Sequence, residues 1–475
     1  MAQREIEIGD AIACRDQATG QAGVLHVESD RIWAEFVGFR SRPNVDADSP
    51  VYLHTAKGWV VSLFRNIEFG STGPFWRRGE VGNVYHQRVV ANLVISGETA
   101  WSAGSRARSV SFRVGPDSDF LWPRDRTREI ADVSVDSVPN RTIFMMEVAG
   151  GKLSLDFALQ SDSIRDKWTP TEPWLTFHFD EGAEPDECLN LVSYLVSLFS
   201  LLTWRDIHIE EMTIRHVDAP PETLSHRVLL TGSERKSGRR DGYPIAISLN
   251  NDLELKAFQS VLRVWLERRS AWDDSTGLML AALRRFSNVS AERALDACRW
   301  YEVIERAAPG DRNDERPAAM DEVVEAAVAK AKERGLEGYA RWIKDRLSVV
   351  RGEPRKVRVC RLAKGIKEWF GDDLFDETGI EMIMAAYGAR HRTGHGTLGP
   401  MGETGVRELW GNIVAMETFC ALRTIADLPV SDGGLKWLRM HPLIRAFKEL
   451  RKERTAVDGG KPADARDLRD RVIGE

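Results

Sequence analysis

The sequence predicts an α+β protein: a β-rich, sandwich- or barrel-like N-terminal domain followed by an all-α helical bundle. Three observations carry this. Short runs rich in β-branched and aromatic residues, with turn residues about every ten positions, fill the first half. A stretch rich in Gly, Ser and charge, Thr231-Gly232-Ser233-Glu234-Arg235-Lys236-Ser237-Gly238-Arg239-Arg240-Asp241-Gly242, has nothing apolar to bury and reads as a linker. Beyond residue 253 apolar residues recur at three- and four-residue steps. The expected domains are 1–245, 246–450 and a polar, disordered tail at 451–475.

Strands are expected at 24–27, 31–37, 59–64, 88–95 and 110–114, separated by turn clusters such as Gly70-Ser71-Thr72-Gly73-Pro74 and Gly115-Pro116-Asp117. Runs 142–148 and 153–159 flank Ala149-Gly150-Gly151-Lys152, a hairpin signal because glycine supplies the positive φ of a tight turn. A strand at 174–179 follows. Residues 189–204 form the most apolar run. Asn190, Ser193, Ser197, Ser200 and Thr203 interrupt it, and it falls short of the ~20 residues that span a bilayer, so a buried helix is expected. It runs into a strand at 206–209 that closes the domain.

In the second half, Leu255, Phe258, Leu262 and Trp265 set a helical period, and Ser290 is placed to cap a helix through Leu295, Cys298 and Tyr301. Further helices are expected at 318–334, stopped by Gly335, then at 338–350, 359–370 and 376 to about 391. The last long helix carries Val406, Leu409, Ile413, Met416 and Cys420 on one stripe, a seam that suits a partner in the same bundle or across a dimer. Past about residue 448 the chain turns polar and charged.

Composition narrows the function. The 475 residues are 43% hydrophobic and 29% charged, with a net charge of −6, so nucleic-acid contact must come from a local basic patch. The five cysteines, Cys14, Cys188, Cys298, Cys360 and Cys420, are too scattered for a zinc knuckle or a C-x-x-C pair and read as reduced thiols. The first residues are polar and acidic rather than a secretory leader, so a cytoplasmic protein without membrane contact is expected. No P-loop, G-x-S-x-G or H-E-x-x-H is present, and neither a metal nor a cofactor is expected. His54, His86 and His178 lie in strands with no Cys or carboxylate at ligand spacing and read as structural. Trp33, Trp59, Trp76 and Trp101 read chiefly as core.

One stretch carries chemistry: Tyr387-Gly388-Ala389-Arg390-His391-Arg392-Thr393-Gly394-His395-Gly396. An Arg followed four to six residues later by a His is a cheap pattern, and chance supplies about three in such a chain. Only Arg390 to His395 occurs, and its context says more. Arg390 continues the apolar stripe Ile380, Ile383, Tyr387, where a cation is costly unless paired or serving a site. Gly394 and Gly396 are placed to break the helix and set His395 on a sharp turn. His titrates near neutrality and can move protons, and an Arg fork can hold charge developing on a phosphate.

The stretch resembles the Arg-polar-x-x-x-His motif of HEPN domains (higher eukaryotes and prokaryotes nucleotide-binding). The likeness extends through the helix from Ser290-Ala291-Glu292 to Glu302 and the long helix after the motif, and the two-domain order is similar to that of ApeA-like anti-phage proteins. The β half matches more loosely, by pattern. His391 stands where many HEPN proteins carry Asn or Asp. The resemblance implies a metal-independent endoribonuclease of abortive-infection defence that cleaves RNA, with tRNA among the candidate targets. It implies 2′-hydroxyl attack leaving a 2′,3′-cyclic phosphate and a 5′-hydroxyl. Arg390, His395 and His391 would be the catalytic residues, with Glu302 supporting Arg390. One motif His per chain is thin for both acid and base roles, so a homodimer with a composite site is implied, and the β domain would meet a phage-encoded trigger.

Arg351, Arg355, Lys356, Arg358, Arg361, Lys364 and Lys367 form the densest basic run. Arg355, Lys356, Arg358, Arg361 and Lys364, with Arg392, are the candidate RNA contacts. A solvated helix face is the competing reading. The competing reading for the whole is a catalytically silent HEPN dimer that binds nucleic acid, a nucleotide or a phage protein.

Overall fold

The computed structural model describes residues 6–28, 30–38, 49–64, 67–77, 80–114, 118–133, 137, 139–162, 167–220, 225–230, 249, 251–285, 289–307, 318–348, 355–394 and 403–458. The chain is α+β, with a large antiparallel sheet in the N-terminal half and helices in the C-terminal half. It divides into two compact units, 1–267 and 268–475.

The strands of the first unit are β1 (Ala11–Asp16), β2 (Ala22–Val27), β3 (Ile32–Gly38), β4 (Val51–Thr55), β5 (Val60–Phe64), β6 (Ile67–Arg77) and β7 (Glu80–Ala91). They continue with β8 (Leu93–Gly97), β9 (Ala107–Val114), β10 (Thr142–Val148), β11 (Gly151–Asp162), β12 (Lys167–Ala183), β13 (Ile209–His216) and β14 (His226–Leu229). Hydrogen bonding joins them in one sheet, in the order β10-β11-β12-β9-β13-β14-β8-β5-β4-β1-β2-β3-β7-β6. Alternation along β1 and β4 points Ile12, Cys14, Val51 and Leu53 into an apolar cluster with Leu25, Ala34, Phe36, Val61, Leu63 and Val89.

Helices α1 (Arg124–Ala131), α2 (Pro185–Thr203) and α3 (Asp252–Glu267) belong to this unit. The apolar run at 189–204 is the core of α2, opened by a capping box between Glu184 and Glu187. It is the one described helix long and apolar enough to cross a membrane, and it is mostly buried inside the fold. The aromatic rings of Tyr194 and Trp265 stack 5.0 Å apart. The Tyr194 hydroxyl donates to the Trp265 carbonyl and the Trp265 indole N–H to the Tyr194 carbonyl, both at 2.9 Å. This latch ties α3 to α2, so the division falls between Glu267 and Arg268 where the sequence placed a boundary at 245/246.

The β10–β11 hairpin stands where the glycines predicted it. Gly150 takes φ +81°, and a Cβ on Gly151 would lie 1.9 Å from the His178 carbonyl oxygen on β12. Other expectations are corrected. Residues 70–74, expected as a turn, lie inside β6 and pair with β7 residue by residue, Pro74 opposite Asn83. β6 is the terminal strand of the sheet, where a proline lacking its N–H is tolerated. The single strand expected at 88–95 is two, because exposed Asn92 bends the chain and sends β8 to pair with β5 and β14. The strand expected at 206–209 begins only at Ile209, and it lies inside the sheet between β9 and β14. The clusters 115–117 and 231–242 lie outside the described residues.

The second unit holds α4 (Arg269–Arg284), α5 (Ala291–Ala307), α6 (Ala318–Glu333), α7 (Glu337–Ser348), α8 (Arg355–Phe370), α9 (Glu377–Gly394), α10 (Glu403–Ala426), α11 (Asp432–Arg439) and α12 (Pro442–Asp458). Ser290 caps α5 as expected, its hydroxyl accepting from the Arg293 N–H at 3.2 Å. α10 packs against α5, α8, α9 and α12. Its expected one-sided seam is corrected: every residue from Ile413 to Leu422 is buried, while Val406 is exposed. A helix buried all round is the axle of a bundle. The disordered tail expected at 451–475 is corrected over its first eight residues only, and 459–475 lie outside the described residues. α12 runs to Asp458, held by Leu443, Ile444 and Phe447 inside and by Arg451 bonding the Leu374 carbonyl at 3.0 Å.

Inside the bundle, Arg293 of α5 meets Glu417 of α10 in a two-pronged pair, Nε to Oε1 and Nη2 to Oε2, both at 2.7 Å. The side chains are 3% and 0% exposed. Burial pushes the Glu417 carboxyl above its ordinary range, opposed by the Arg293 guanidinium.

Candidate active site

The motif helix α9 buries Met382, Ile383, Ala386 and Tyr387 and reaches Arg390 one turn later, at the edge of the bundle. Tyr387 lies edge-on to Tyr301 of α5, their centroids 5.7 Å apart, and Tyr301 packs toward Phe419 of α10. Residue 302 therefore emerges beside the tyrosine pair. One oxygen of Glu302, Oε1, accepts from both the Tyr387 hydroxyl and the Arg390 Nη1. The same Nη1 donates to the Tyr387 oxygen at 3.1 Å. Arg390 and Glu302 are each about one-third exposed, at 33% and 34%.

Arg355, the first residue of α8, lies over the Tyr387 ring with its guanidinium carbon 3.8 Å from the centroid. The α9 tyrosine thus carries one guanidinium on its face and another at its hydroxyl. Burial pushes the Tyr387 hydroxyl above its ordinary pKa, and the Glu302 hydrogen bond and charge add to this, so the group stays a neutral donor. Burial works against the Arg390 charge, but Glu302 and Tyr387 outweigh it and raise its pKa. Cys298, one turn before Glu302, points its thiol at the Ala386 carbonyl 3.9 Å away, and burial pushes it up to about 11. It is a packing thiol and not a nucleophile at neutral pH.

The structure brings together Arg390, Glu302 and Arg355 from three helices. His391 and Arg392 are in α9, but their side chains lie outside the described residues, as does His395 entirely. α9 continues as helix through Gly394, three residues past its expected end. α8 begins at Arg355, four residues before its expected start, so the whole run from 355 is helical. Its basic residues split. Arg355, Lys356 and Lys364 are exposed, and Lys364 faces Glu368 at 3.7 Å. Arg358 and Arg361 are half-buried beside Val359 and Leu362. A single solvated face does not describe this helix.

Tyr387 was read in the sequence only as part of the apolar stripe. Its hydroxyl joins Arg390 to Glu302, and the spacing of three residues, one helical turn, was the available signal. In the first unit, Glu35 bonds His86 and lies 3.6 Å from His26, while His178 is half-buried with its pKa lowered by burial. Trp33 and Trp101 are core residues and Trp59 packs against the core; the Trp76 side chain lies outside the described residues.

Comparison with protein-family models, with curated proteins and with solved structures finds no match to this chain.

Proposed function

We propose that this chain is a metal-independent endoribonuclease of the HEPN type, with Arg390 and His395 as its catalytic pair and His391 orienting the phosphate or His395. The helical unit is then a HEPN bundle, and the β-rich unit a sandwich- or barrel-like sensor for a phage-encoded trigger in anti-phage, abortive-infection defence. The observation that carries the reading is the state of Arg390. It ends a buried stripe, yet its side chain is one-third open and its guanidinium is aimed by Glu302 and Tyr387. A fork held in one orientation at a surface is what a developing phosphorane charge requires. His395 would take the proton from the 2′-hydroxyl or return it to the leaving 5′-oxygen. One histidine cannot perform both at once, so two protomers would combine motifs in one cleft.

The local satisfaction of Arg390 by Glu302 also favours a second reading, a silent HEPN scaffold that binds RNA, a nucleotide or a phage protein without cutting. Incubating the purified chain with total RNA and mapping the cut ends separates the two. The nuclease yields 2′,3′-cyclic phosphate ends, retains activity in EDTA, and loses cleavage and phage protection in Arg390→Ala and in His395→Ala while remaining dimeric. Full cleavage by either variant refutes the assignment, and loss on chelation points to a metal.

A further inference from the structure

Arg355 is a cation beside the motif with no carboxylate partner among the described residues. It is exposed, and its guanidinium stacks on the Tyr387 ring at 3.8 Å. Stacking fixes the plane of the fork while leaving its N–H edge open. Among the described residues no carboxylate pairs with it, and the first turn of α8 holds no acid. Its neighbours differ. Arg390 has Glu302, Lys364 has Glu368 and Lys367 has Asp373. Glu302 thus offsets one of the two guanidiniums gathered on Tyr387 and leaves the other uncompensated.

We propose that Arg355 and Arg390 together form a two-phosphate site across Tyr387, in which Arg355 takes the backbone phosphate adjacent to the one Arg390 holds. The ligand class is an RNA phosphodiester backbone. The inference rests on the ribonuclease reading for the identity of the strand, and on the tyrosine-centred geometry for the site itself. Arg355 acts as a positioning residue: it fixes the register of the strand and takes no proton.

The test uses the full chain and a fluorescein-labelled single-stranded RNA bearing 2′-O-methyl groups throughout, which binds but cannot be cut. Anisotropy is followed across a salt series. Arg355→Ala is expected to weaken binding roughly tenfold and to make the slope of log affinity against log salt shallower by about one. Arg355→Lys keeps the slope and loses part of the affinity, because an ammonium neither stacks nor forks. Lys330→Ala, an exposed charge on α6, serves as the control. Unchanged affinity and slope in Arg355→Ala overturn the proposal. So does inorganic phosphate that binds through Arg355 as tightly as the oligonucleotide, which marks a free-phosphate site. Arg355-dependent binding without cutting of unmodified RNA leaves the phosphate site standing and removes the nuclease. Cutting that is indifferent to Arg355 does the reverse.

Discussion

Arg293→Ala is expected to unfold the helical unit far more easily than its single-residue size suggests. Glu417 is fully buried on the axle helix, and both of its oxygens bond Arg293 at 2.7 Å. Removing the guanidinium strands a carboxylate where water does not reach, and breaking such a pair costs about 3–5 kcal/mol. For a unit of this size each kcal/mol moves the midpoint by about 2–4 °C, so a drop of roughly 6–20 °C is expected by calorimetry at pH 7. The sign with pH follows from the raised pKa of Glu417. Arg293 opposes the rise that burial causes, so without the guanidinium the folded state holds the proton more tightly still; the penalty is greatest at neutral pH and fades as pH falls toward the ordinary value of 4.5. Arg293→Met combined with Glu417→Leu removes both charges and fills the space, and should lie within about 1–2 kcal/mol of the parent or above it. A loss under about 1 kcal/mol in Arg293→Ala, or a double variant as damaged as the single, would refute the reasoning.

Glu302→Gln is expected to cost under about 1 kcal/mol of stability, since its pair with Arg390 is one-third exposed and screened. In the proposed nuclease, RNA cleavage should nonetheless fall by roughly tenfold in kcat with KM little changed, because the amide oxygen still accepts from Arg390 but brings no charge to hold the fork; equal kcat rejects this. Gly151→Ala should destabilise the β unit by about 2 kcal/mol or more, its Cβ meeting the His178 carbonyl at 1.9 Å, as read by denaturant unfolding. His226 is 4% exposed, faces Thr99, Trp101, His216 and Glu98, and has its pKa lowered, chiefly by burial. The fold therefore favours its neutral form, and stability present above the ordinary pKa of 6.5 should fade as pH falls below it; a flat profile from pH 7 to 5 in a melt of the β unit speaks against this.

The sequence made periodicity legible and concealed partnership. The α9 stripe, the α5 cap at Ser290 and the hairpin at Gly150 could all be read, because each is local to one turn of chain. α4 was missed. Its Asp273, Asp274, Ser275, Thr276 and Gly277 are poor helix formers, and the burial of Trp272 and Met279 overrides them. The turn-like glycines and proline of β6 misled because nothing in the local pattern says that a strand will lie at an edge. At the site, the Arg390–Glu302 pairing was anticipated by resemblance. The Arg293–Glu417 pair, separated by more than a hundred residues, had no local signature. Nor did the stacking of Arg355 on Tyr387, which depends on where α8 crosses α9.

Among the described residues, α5 anchors two Arg–Glu pairs, and their contrast bears on function. Arg293 and Glu417 join α5 to α10 and are sealed from water. Arg390 and Glu302 join α9 to α5 and are each one-third open. The sealed pair cannot meet a ligand, and its loss would be felt as unfolding. The open pair contributes little to stability, because solvent screens it. Its partners are of another kind: Tyr387 supplies a third hydrogen-bonding group and Arg355 a second cation above the same ring. A structural role asks only for neutralisation, which Glu302 alone provides. Among the described side chains, two guanidiniums meet at Tyr387 and the Glu302 carboxylate pairs with only one of them, on the helix that leads into His395. An anionic ligand would complete that balance, the role proposed for an RNA phosphate, whereas a purely structural pair has no use for the second cation.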